Sequence, residues 1–196
     1  MSKPDPAGSK KEKKKASKWV LTIFFVTILV SGTISFLSDE LMSVSGIVVA
    51  FIILTLIVLV GIIFDVLGVA VTSADEAPFH SMAARKVPGA QDAIRLLRNA
   101  ERVSSICNDV IGDICGVVSG SASATIAAQV IAGTNFAWPQ LIMLVMSSMV
   151  AAVTVGGKAI GKTFDIQSST TIVHVAGRII YTIRTFPRLF RKKKKK

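Results

Sequence analysis

Four apolar blocks, each set off by polar stretches, make up most of this chain. They cover residues 19–37, 46–71, about 106–132 and 140–157. About 20 apolar residues in a helix span the hydrocarbon of a bilayer, so each block is a candidate span. The second is the clearest, an almost unbroken run of Ile, Val and Leu. Residues 1–18 carry Pro4, Pro6, Gly8 and a lysine run, and read as a disordered basic tail. A short acidic loop with Asp39 and Glu40 follows the first block. Between the second and third blocks, 73–105 is polar but keeps a helical period. Ser73 and Glu76 have capping-box spacing. Pro88-Gly89 divides the segment into two short helices. Ala93, Ile94, Leu97, Ala100 and Val103 share one face, as in a helix lying on or under the membrane. Residues 133–139 form a turn with Trp138 at the interface. After 168, the residues Ile172, Val175, Ala176, Ile179, Ile180, Ile183 and Phe186 recur at helical spacing, which predicts an amphipathic interfacial helix over 169–190. The pattern therefore predicts an all-α membrane protein, with four transmembrane helices and juxtamembrane amphipathic helices.

Composition agrees with that class. Of 196 residues 51% are hydrophobic, and the mean hydropathy is +0.60. The net charge of +11 is not spread evenly. All 23 Lys and Arg fall in 1–18, 73–105 or 158–196, and neither loop on the other side holds one. Basic residues stay on the cytoplasmic side, so both termini are expected there, in a bacterial plasma membrane. A cleavable signal peptide is the competing reading of the first block, but the apolar run continues past Val30-Ser-Gly. No nucleic-acid motif accompanies the charge. No Ser/His/Asp set, phosphate loop or zinc spacing is present, so neither an enzyme nor an organic cofactor is expected. Cys107 and Cys115 lie ~12 Å apart along one helix and cannot bridge each other.

The third block holds the chemistry. Asn108, Asp109 and Asp113 lie near its start, and the last two share a helical face. Ionisable groups at membrane depth cost at least ~2.5 kcal/mol each unless partnered, and so mark a candidate site. Asp65 lies inside the second block. The alternative is a packing helix whose acids sit at the water interface. Gly112, Gly116, Gly120, Ala124 and Ala128 recur every four residues, a ridge that admits a second helix. Gly157 and Gly161 repeat the spacing in the last block. The terminal residues Arg191, Lys192, Lys193, Lys194, Lys195 and Lys196 should bind anionic lipid.

Three stretches carry a resemblance. They are Phe64-Asp-Val-Leu-Gly-Val-Ala-Val-Thr-Ser-Ala-Asp75, Cys107-Asn-Asp-Val-Ile-Gly112 and Gly157-Lys-Ala-Ile-Gly-Lys-Thr163. In order and setting they resemble the DUF21 transmembrane domain of the CorB/CNNM (HlyC/CorC-like) magnesium transporter family. The resemblance spans 48–191 and implies three family spans, within 46–168, plus an extra N-terminal helix over 19–37. It implies transport of a divalent cation such as Mg²⁺, with Asp65, Asn108, Asp109 and Asp113 as oxygen ligands. Together with the glycine ridge it implies a homodimer. The departures are specific. Lys158 stands where the family places Glu, as a possible internal counter-ion, and Gly161 stands for Pro. The paired CBS module that usually follows in the family does not follow residue 191 here, which leaves a separate regulatory partner open. These departures leave open a transport-inactive membrane protein with a structural or regulatory role.

Overall fold

The computed structural model describes the backbone of residues 6–133 and 138–192, and the side chains of 20–42, 45–133, 138–163 and 168–185. Within them the chain forms seven α-helices and one π-helical segment. They are α1 (Pro6–Val44), α2 (Ile47–Ser73), α3 (Ala77–Ala84), α4 (Ala90–Arg98), α5 (Ala100–Ser105), the π segment (Ile106–Gly112), α6 (Asp113–Ala132) and α7 (Pro139–Lys192). Four stretches are long and apolar enough to cross a membrane: Val20–Met42, Ile47–Ser73, Ala100–Ala132 and Pro139–Thr163. The protein is an all-α integral membrane protein.

Several boundaries differ from the sequence pattern, for local reasons. Residues 6–18, expected to be a disordered tail, continue α1 as helix. Ala, Lys and Glu are strong helix formers, and an attached span removes the cost of nucleation. The acidic stretch at 38–44 is also helical, which leaves only Ser45 and Gly46 as a loop. The last span and the amphipathic segment are one continuous helix, α7. Glycines at 156, 157 and 161 lower helix propensity there without ending the helix. Ser73 caps nothing at the proposed capping box. The Ala77 N–H instead donates to Asp75 Oδ1 at 3.2 Å, and Glu76 pairs with Arg98 at 3.0 Å and His80 at 3.2 Å. Proline within the first turn of α3 suits a helix start. The four terminal lysines 193–196 and the turn residues 134–137 lie outside the described residues, as do the side chains of Arg191 and Lys192.

Helix α2 is the hub and touches α1, α5, the π segment, α6 and α7. Helix α1 lies mainly against α6. Two apolar clusters result. One, toward the loop between α1 and α2, joins Met42, Ala50, Leu54, Val58, Ala122 and Ile126. There Gln129 Nε2 donates to the Met42 carbonyl at 2.8 Å, satisfying a helix-end oxygen. The other, at the far end of α2, joins Ala70, Val71, Phe79, Ala93 and Val173. Ile94, Leu97, Ala100 and Val103 pack onto it, so the apolar face of α4 and α5 is turned inward onto protein. Gly89 has φ +88°, and any Cβ there would meet the Arg178 backbone at 2.6 Å. Only glycine lets the start of α4 lie this close to α7, opposite Gly177.

Candidate functional site: a buried carboxylate between two lysines

Between the two apolar clusters lies a polar layer, and Asp65 is its centre. It sits about two turns before α2 ends and is 5% exposed. Lys158 Nζ stands 3.4 Å from its Oδ1, and Lys162 Nζ stands 3.7 Å from its Oδ2. The two lysines are four apart on α7 and so share one face. Gly157 and Gly161, on the same stretch, take the side chains of Ile62 and Val66 from α2. The small-residue spacing draws α7 onto α2, and that approach carries both ammoniums to the carboxylate. Lys158 is the more enclosed partner, at 21% side-chain exposure against 53% for Lys162. Two cations face one anion, so the layer carries a net positive charge.

The π segment forms the third wall. A π turn inside an α-helix inserts an extra residue and shifts the faces that follow it. Cys107 and Gly112 are buried. A Cβ at Gly112 would lie 3.4 Å from Lys158 Nζ and 3.8 Å from Asp65 Oδ1, so Gly112 adjoins the ion pair itself. Asn108 packs its amide onto Gly68 of α2. Its Nδ2 donates to Ser104 Oγ at 3.3 Å, while its Oδ1 is buried without a hydrogen-bond partner.

The sequence-predicted ligands therefore do not come together as one set. Asp65 faces the lysines. Asn108 sits on Gly68. Asp109 is exposed, and its Oδ2 accepts from Ser105 Oγ at 2.8 Å. Asp113 is exposed, although it follows Gly112 and lies near the depth of Asp65. Among the described residues no three His, Cys, Asp or Glu side chains gather as a metal site. The glycine ridge divides in the same way. Gly112 faces inward, whereas a Cβ at Gly116 or Gly120 would meet nothing within 4 Å. Ala124 and Ala128 are exposed too, so the rest of the ridge faces outward. Inside the chain the close approaches on α2 are at Gly61, against Cys115, and at Gly68. Lys162, Gly61 and Gly68 were missed in the sequence. The i,i+4 spacing of Lys162 from Lys158 was the signal for the first, and the seven-residue spacing of two glycines within an apolar run was the signal for the others.

No family model, no curated protein and no solved structure matches the chain.

Proposed function

We propose that this chain is a transport-inactive membrane protein with a structural or regulatory role. It keeps the layout of a DUF21-type cation-transport domain and acts through contact with other membrane proteins. The observation that carries this reading is the double lysine pairing of Asp65. An intramembrane carboxylate is where a divalent cation would bind, and here two ammoniums already neutralise it. A cation entering the layer would meet their repulsion in a medium of low dielectric. The outward stripe of Gly116, Gly120, Ala124 and Ala128 suits close approach of another helix, and a homodimer is the simplest partner. Both termini belong in the cytoplasm on this reading, with the polybasic end on anionic lipid.

Divalent-cation transport is the second reading, and one observation favours it. Asp65 Oδ2 and Asn108 Oδ1 are buried oxygens without hydrogen-bond partners, the kind of atom a cation or its waters would satisfy. Transport would then require Lys158 to swing away from Asp65. Proteoliposomes holding a Mg²⁺-sensitive dye separate the two readings. The proposal expects Mg²⁺ entry no faster than in protein-free vesicles. Entry above that background, abolished by Asp65→Asn, would replace it with transport.

A further inference from the structure

A second buried carboxylate, far from Asp65 along the chain, organises a cavity of its own. Asp92 in the first turn of α4 is 8% exposed. Arg95 Nη1 approaches its Oδ1 at 3.1 Å and Arg184 Nη1 approaches the same oxygen at 3.4 Å. Beside it, between the α3–α4 turn and α7, opens a cavity of about 390 Å³ lined in part by Lys86, Gln91, Asp92, Arg95, Tyr181 and Arg184. That is within the size range of ligand pockets.

Three cations and one carboxylate give this cavity a net positive charge. Each guanidinium has five N–H donors, and the pairing given for Asp92 engages one nitrogen of each. The buried carboxylate thus fixes the two guanidiniums while both remain more than half exposed. Fixed forks of this kind suit the oxygens of a phosphate. Lys86 adds a third charge from a left-handed backbone, φ 57°, which holds it in the turn.

We propose that this cavity binds a phosphate group, as carried by an anionic lipid headgroup or by a soluble organophosphate. The surroundings favour the lipid. Ile179, Ile180 and Ile183, on the same stretch of α7 as Tyr181 and Arg184, are exposed apolar residues that acyl chains could cover. This site is separate from the polybasic end. It binds through guanidiniums held by the buried Asp92 carboxylate rather than through a diffuse field.

The test is thermal unfolding of the full chain in a neutral detergent, titrated with dioctanoyl phosphatidic acid, glycerol 3-phosphate, inorganic phosphate and dioctanoyl phosphatidylcholine. The expected result is saturable stabilisation by phosphatidic acid and none by phosphatidylcholine. Arg184→Gln should weaken it about tenfold, the usual scale of one lost charge-assisted contact. Lys86→Asn should act in the same direction while preserving the fold, because Asn tolerates the left-handed conformation. Deleting residues 191–196 should change the affinity by less than about twofold. Equal stabilisation by glycerol 3-phosphate would support the phosphate site and assign it to a soluble ligand. Stabilisation by the lipid alone assigns it to the headgroup. If Arg184→Gln does not fold, Lys86→Asn decides alone. No stabilisation by phosphatidic acid, glycerol 3-phosphate or inorganic phosphate, stabilisation by phosphatidylcholine equal to that by phosphatidic acid, or stabilisation indifferent to the cavity substitutions would overturn the proposal.

Discussion

Removing Lys158 is the most informative single perturbation of the polar layer. Lys158→Met keeps the length and apolar bulk of the stem and deletes the charge. Two opposite charges 3.4 Å apart attract by roughly 5 kcal/mol at an effective dielectric constant near 20. Part of that is offset by the cost of bringing both groups out of water. Lys162 retains its own pairing, but at 53% side-chain exposure it is screened, worth at most about 1 kcal/mol. Asp65 is left buried with half its partners. The net cost should be about 2–3 kcal/mol, somewhat below the loss expected when a fully enclosed pair is broken. For a chain of this size that lowers the unfolding midpoint by about 5–10 °C. Asp65→Asn alone should be destabilising as well, because it leaves two ammoniums facing each other. The double variant Lys158→Met/Asp65→Asn should regain most of the loss. The assay is scanning calorimetry or intrinsic fluorescence of the purified protein in one detergent, read as a double-mutant cycle. A coupling of at least about 1.5 kcal/mol is expected. Additive effects, within about 0.5 kcal/mol, would mean the pair makes no energetic contribution and would refute the reasoning.

Glycine substitutions should sort by the face they occupy. Gly161→Leu, which drives a side chain into Val66, should lower stability by about 1–3 kcal/mol, on the scale of overpacking. Gly116→Leu and Gly120→Leu should leave monomer stability within about 0.5 kcal/mol, since nothing lies within 4 Å, and should lower only self-association measured by light scattering. Single cysteines introduced at 76, 85 or 95 should react with an impermeant maleimide only in inverted vesicles. Reaction in intact cells would reverse the orientation.

How much of this was legible in the sequence depends on the kind of signal. The spans were readable because apolar length is a direct consequence of bilayer thickness. So was the face of Ala93, Ile94, Leu97, Ala100 and Val103, which the fold turns onto one cluster. That this face meets protein was not readable, because a helix period does not say what covers it. Helix ends were harder. Pro88-Gly89 did break the chain, because Gly89 is needed in a left-handed conformation. The glycines of α7 did not, because in that setting they serve packing. The candidate site was the least legible part. A uniform α-helix puts Asp109 and Asp113 on one face, and the π segment over Ile106–Gly112 shifts the faces that follow it. The partners of Asp65 lie 93 and 97 residues along the chain from it. Only the approach of α7 to α2 reveals them. Lys158 was visible beforehand as a candidate counter-ion, but its distance from Asp65 was not.

Whether Asp65 is neutralised from within or by a metal is decided by cation-dependent stabilisation of wild type and Lys158→Glu. Both are titrated with Mg²⁺, Mn²⁺ and Na⁺ at fixed ionic strength. No cation-specific shift is expected in the wild type, because Lys158 and Lys162 already face Asp65. A Mg²⁺- or Mn²⁺-dependent rise is expected in Lys158→Glu, where a second carboxylate would stand beside Asp65 in place of the Lys158 ammonium. Stabilisation of the wild type by a divalent cation, lost in Asp65→Asn, would contradict neutralisation from within.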